Sequence, residues 1–85
     1  MEVVLLPEAL EDLKHWKKSG NKIIEKKISQ ILLSIKETPF DGIGKPEPLK
    51  HSLSGKWSRR INGEHRLIYA IEGDIIKVYS LKGHY

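Results

Sequence analysis

The residues best equipped for chemistry crowd into the second half of the chain. All three arginines fall between positions 59 and 66, and three of the four histidines (His51, His65 and His84) lie in the same half. A planar guanidinium presents paired donors at fixed geometry, so arginines grouped this closely suit a phosphate. Strand alternation sends Arg60 to the face opposite Trp57, Arg59 and Ile61, and gives Arg66 the face of Ile68 and Ala70. With a three-residue hairpin loop at 62–64, Arg60 lies directly across from Arg66. With a two-residue Asn62-Gly63 loop, Arg59 does. The sequence leaves both registers open. Either one opposes two like charges, unfavourable by roughly a few tenths of a kcal/mol unless an anion lies between them.

Glu47 stands between Pro46 and Pro48, whose rings stiffen the backbone on both sides. A carboxylate held rigidly beside a basic cluster has the makings of a general base, although alone it reads as an ordinary surface glutamate. His84, next to the last residue Tyr85, reads in isolation as an exposed terminal histidine. The histidines lack metal-ligand spacing and there is no cysteine, so neither a zinc site nor a disulfide framework is expected. Gly42 and Gly44 lack the strand–turn–helix setting of a nucleotide loop.

The net charge is +4, and its distribution is uneven. Residues 1–44 balance seven lysines against seven acids, whereas residues 45–85 set eight Lys and Arg against four acids. The excess therefore coincides with the arginine cluster, as expected of a surface that meets nucleic acid. The apolar runs, such as Val3-Val4-Leu5-Leu6, are far too short to span a bilayer, and the N-terminus lacks a secretory layout. A cytoplasmic protein with one domain over residues 1–85 is the expectation.

The elements that must position these residues read clearly. Residues 1–6 form a valine-rich strand. Pro7 opens a helix, and the acids Glu8, Glu11 and Asp12 suit its positive end. Its apolar face is Ala9, Leu10, Leu13 and Trp16, and Gly20 closes it. Asn21 caps a second helix over Lys22–Glu37 with a stripe of Ile24, Ile28, Ile31, Leu32 and Ile35; Thr38-Pro39 ends it. Residues 39–48 are rich in breakers and read as an ordered surface loop, with a helical turn possible near 48–53. Strands follow at 56–61, 65–71 and 75–81, joined by turns at Asn62-Gly63 and Gly73-Asp74. This order predicts an α+β domain: an N-terminal strand, a two-helix hairpin, then an antiparallel meander with the helices on one face of the sheet.

Thr38-Pro39-Phe40, Gly44-Lys45-Pro46-Glu47-Pro48-Leu49-Lys50-His51 and Leu53-Ser54-Gly55 together resemble the loop of the YoeB/Txe toxins, within the wider RelE-like group. Trp57-Ser58-Arg59-Arg60-Ile61, Glu64-His65-Arg66-Leu67-Ile68-Tyr69 and the terminal His84-Tyr85 extend the match. The specific block spans residues 38–70 and the last two, close to half the chain.

The resemblance implies a RelE/YoeB-like fold and the toxin of a type II toxin–antitoxin pair, an endoribonuclease that cuts mRNA in the ribosomal decoding site without a metal or cofactor. It implies Glu47 as general base, His84 as general acid and Arg66 as the charge stabiliser, helped by Arg60 and Lys50. Tyr85 would position substrate. His51 and Arg59 are placed with the substrate-binding residues. Arg59 has a second reading as packing beside Trp57 or contact with ribosomal RNA, and His65 a reading as a residue that orients Arg66. Trp57 and Tyr69 read as core. The implied partners are mRNA on the ribosome, ribosomal RNA, a YefM/Axe-like antitoxin and a second copy of the chain, with no membrane. A noncatalytic basic module, of the kind that poisons DNA gyrase through protein contacts, is the competing expectation. It would have no use for an acid–base pair.

Overall fold

The structure, a computed structural model, describes residues 1–84. Strand β1 (Glu2–Leu5) leads into helix α1 (Pro7–Ser19). Proline at the first helical turn removes a donor that would have gone unpaired, and Gly20 ends the helix in the left-handed region (φ 71°). Asn21 then caps α2 (Lys22–Glu37) by accepting from the Ile24 N–H at 3.2 Å. Ile24, Ile28, Ile31 and Ile35 are buried at the expected spacing, with Leu32 packed partly against them. On α1, Ala9 and Trp16 are buried, but Leu10 is exposed. The inward face of that helix is narrower than its sequence suggested.

Residues 39–46 cross the surface and enter a two-residue edge strand, β2 (Glu47–Pro48), where the sequence reading had only loop. Proline is compatible with a strand at a sheet edge, where its missing donor breaks no ladder. A single 3₁₀ turn (His51–Leu53) follows, as foreshadowed. Strands β3 (Trp57–Arg60), β4 (Arg66–Glu72) and β5 (Ile75–Ser80) form the meander.

The sheet order is β1-β5-β4-β3-β2. β1 pairs with β5 in parallel, so the sheet is mixed rather than purely antiparallel. The meander leaves the outer edge of β5 open, and β1 fills that edge. Both helices pack on the face carrying Leu67, Tyr69, Ile76 and Val78, all fully buried. The opposite face carries Ser58, Arg60, Arg66 and Ile68, and there the candidate site is built.

Candidate active site

The arginine register is settled by the backbone. Arg60 lies across from Arg66, and the Ile61 N–H donates to the His65 carbonyl at 2.9 Å. Asn62 Oδ1 closes the turn by accepting from the N–H groups of Glu64 and His65, both at 2.8 Å. The N–H groups of Arg60 and Arg66 both point away from their shared ladder. Arg60 donates to the Gly44 carbonyl (2.6 Å) and Arg66 to the Gly83 carbonyl (3.0 Å). The two arginines are therefore a non-hydrogen-bonded pair, the kind in which cross-strand side chains stand closest, with Cα atoms about 4.5 Å apart. Two cations so placed on one face of the sheet favour an anion lying between them. Ser58 Oγ, in the next rank of the sheet, accepts from Arg66 Nη1 at 3.4 Å and fixes one side of that guanidinium.

Those two outward hydrogen bonds also hold the segments on either side. Gly44 begins the approach to Glu47, which sits across from Ser58 in the β2–β3 ladder and so shares the face of the arginine pair. Gly83 precedes His84. The carboxylate segment is thus tied to the β3 flank of the pair and the histidine segment to its β4 flank.

The approach to Glu47 is fastened from beneath by Arg59. This residue is fully buried on the helix side of the sheet. Its Nη1 donates to the Ile43 carbonyl (3.0 Å) and to Ser34 Oγ (2.9 Å), Nη2 to the Thr38 carbonyl (2.8 Å), and Nε to Tyr69 Oη (3.2 Å). Arg59 and Arg60 therefore grip consecutive carbonyls, one with a side chain and one with the backbone. The assignment of Arg59 to substrate binding is corrected by this burial. Strand alternation turns it into the core, where it positions the loop and cannot reach an RNA. Tyr69 in turn donates to the Pro39 carbonyl at 2.7 Å. Its burial lifts the phenol pKa above the usual 10.0, and the hydrogen bond and charge of Arg59 oppose that without cancelling it.

Gly44 has φ 83°, and a Cβ there would meet Arg59 Cβ at 3.1 Å and the Arg60 carbonyl at 3.2 Å. Only glycine lets the loop lie this close to β3. Lys45 (φ 52°) and His51 (φ 59°) are left-handed without being glycine. This local strain brackets the segment that carries Glu47 and Lys50.

The C-terminal segment is held by residues the sequence reading did not assign to the site. Leu81 donates its N–H to Asp12 Oδ2 (2.9 Å) and accepts from Trp16 Nε1 at its carbonyl (2.9 Å). Asp12 and Trp16 stand one turn apart on α1, so a single helix face clamps both backbone groups of one residue. Gly83 donates to His65 Nδ1 at 2.9 Å, and the His65 ring packs edge-on against Trp16 with centroids 4.8 Å apart. Accepting at Nδ1 requires a lone pair there, so a neutral His65 carries its proton on Nε2. His65 therefore orients the segment bearing His84, and through Gly83, whose carbonyl accepts from the Arg66 N–H, it is coupled to the arginine strand as well. The sequence offered only a weak signal for this clamp: Asp12 read as a helix-start acid and Trp16 as core.

Glu47, Lys50 and His51 line one cleft of about 440 Å³. His84 lines a second, of about 370 Å³, and Leu53 belongs to both. Arg60 is exposed and Arg66 partly so, on the same sheet face as the Ile68 floor of the second cleft. Tyr85 lies outside the described residues. Among the described candidates, Glu47, Arg60 and Arg66 share one sheet face, Lys50 and His51 line the Glu47 cleft, His84 lines the adjoining cleft, and Arg59 faces the helices.

The family model described as a YoeB-like toxin of bacterial type II toxin–antitoxin systems matches residues 5–85. The chain belongs to the YoeB family. It is 45% identical to the Toxin YoeB of Escherichia coli O6:H1 over 85 residues, covering all of both chains. Two solved structures from Staphylococcus aureus cover all of this chain and are themselves covered to 98%. One is a YoeB–YefM complex (TM-score 0.91, 45% identity), the other a YoeB dimer (TM-score 0.92, 44% identity). A YoeB-family toxin is thus what the α+β fold, the basic face and the loop motif belong to.

Proposed function

We propose that this toxin is a ribosome-dependent endoribonuclease that cuts mRNA in the decoding site by metal-independent acid–base chemistry. Glu47 takes the proton from a ribose 2′-hydroxyl, and the freed oxygen attacks the adjacent phosphorus. Arg66, with Arg60 and Lys50, holds the added charge of the pentacovalent phosphorane. His84 delivers a proton to the departing 5′-oxygen. The bond from phosphorus to that oxygen breaks, leaving a 2′,3′-cyclic phosphate and a free 5′-hydroxyl. His51 contacts the substrate from the Glu47 cleft, and Tyr85 helps to position it.

The observation that carries this reading is the tethering of the Glu47 and His84 segments to opposite flanks of one arginine pair. In-line displacement needs a base at the entering oxygen and an acid at the leaving oxygen, with cations between them at the phosphate. Each well-placed proton transfer contributes about 100- to 10,000-fold, and a preorganised cationic clamp a comparable factor. The decoding site of a cytoplasmic ribosome supplies the RNA. By analogy with the staphylococcal complex and dimer, a YefM/Axe-like antitoxin and a second copy of the chain are its protein partners. An acidic antitoxin segment that folds on binding would cover the basic face.

The test is primer extension on mRNA from programmed ribosomes, with wild type beside Glu47→Ala and His84→Ala. Discrete cuts in the decoding-site codon that both variants lose are the expected result. No cleavage by well-folded wild type would replace this reading with a noncatalytic basic module.

A further inference from the structure

The cleft beside His84 has features that proton transfer does not use. Its floor is apolar, formed by Ile68 on the open face of the sheet and by Leu53 from the 3₁₀ turn. One wall carries Tyr79, with Lys56 Nζ 4.1 Å from the ring centroid. Lys82 adds a second cation to the lining. At about 370 Å³ the cleft falls within the range of small-ligand sites. An apolar floor is hostile to a phosphate, whereas an aromatic face with cations near it suits a flat π-system followed by one.

We infer that this cleft is the subsite for the nucleobase that immediately follows the scissile phosphate. The inference rests on the ribonuclease reading, because His84 protonates the 5′-oxygen of that same nucleotide. A base attached to the leaving sugar must lie on the His84 side of the arginine pair, and this cleft has His84 in its lining. The Glu47 cleft correspondingly faces the nucleotide whose 2′-hydroxyl attacks, and Leu53 separates the two bases. The incoming base exchanges with Lys56 over the Tyr79 ring and frees the ammonium for the next phosphate. Base–aromatic stacking of this kind corresponds to about 5- to 150-fold in binding or rate.

A chemical double-mutant cycle tests it on programmed ribosomes. One mRNA carries the natural nucleotide after the cut; the other carries a tetrahydrofuran residue there, which lacks the base but leaves the attacking 2′-hydroxyl intact. Single-turnover cleavage is measured with wild type, Tyr79→Ala and Tyr79→Leu, the last keeping apolar bulk in case the alanine variant fails to fold. The expected result is a loss of about 5- to 150-fold on removing either the base or the ring, with little further loss on removing both. Losses that multiply, or a wild type indifferent to the missing base, would overturn the subsite while leaving the ribonuclease reading intact. A wild type that cuts neither mRNA would instead remove the ribonuclease reading and the subsite with it.

Discussion

Replacing Arg59 tests whether the loop bearing Glu47 is held by geometry or merely by charge. The guanidinium makes four hydrogen bonds from three nitrogens. In Arg59→Met, Tyr69 Oη keeps its bond to the Pro39 carbonyl, Ser34 Oγ keeps the Ile43 N–H, and the Thr38 carbonyl keeps the Asp41 N–H. The Ile43 carbonyl is the acceptor left without its guanidinium donor. An orphaned carbonyl costs about 1–3 kcal/mol, and the smaller side chain leaves a void worth about 1 kcal/mol more. The expected loss is therefore about 2–4 kcal/mol. Arg59→Lys should do no better. A single ammonium cannot span four acceptors set around a planar fork, and it leaves a poorly solvated cation in the core. For a chain of 85 residues the whole stability is on the order of 4–13 kcal/mol, so either change is severe. Urea unfolding followed by Trp16 and Trp57 fluorescence reads the effect. With a slope near 1 kcal/mol/M, the midpoint should fall by about 2 M or more in both variants. Two midpoints within about 0.5 M of wild type would refute the reasoning. A lysine variant much more stable than the methionine variant would show that charge, not the fork, holds the loop.

Two other outcomes follow from the same contacts. His65→Ala removes the acceptor for the Gly83 N–H and should lower the single-turnover cleavage rate by about 100-fold at saturating ribosomes, because misplacing a proton donor by about 1 Å costs that much. His65→Asn, whose Oδ1 can take the place of Nδ1, should restore part of the rate; equal rates for the two variants would sink the positioning role. Tyr69 concerns alkaline stability. Its folded pKa is raised above 10.0, so the unfolded chain releases the phenol proton first, and stability present below about pH 10 is lost as pH climbs beyond it. Urea midpoints between about pH 8 and 11 should fall more steeply for wild type than for Tyr69→Phe, and parallel slopes would contradict this.

What the amino-acid order determined by itself was local. The isoleucine spacing of α2, the Asn21 cap, the proline and glycine bounds of α1 and the Asn62-Gly63 turn each depend on neighbours within a few residues, so they can be read without a fold. The motif around Glu47 and the ending at His84 were legible in the same way and carried the family with them. Strand alternation even separated Arg59 from Arg60, though not which of them would face the helices.

Tertiary structure decided the rest, because it depends on contacts between distant parts of the chain. The helices cover the Arg59 face, which makes that residue a buried anchor and leaves Arg60 exposed. The choice between two hairpin registers fell to the pairing of Arg60 with Arg66, and with it the cationic pair. The open edge of β5 drew in β1 in parallel. The clamp on the C-terminal segment joins Asp12 and Trp16 to Leu81 across more than sixty positions of sequence. A helix-start acid and a core tryptophan hold the segment that carries His84 only because the fold lays β5 beside α1, and no local pattern encodes that proximity.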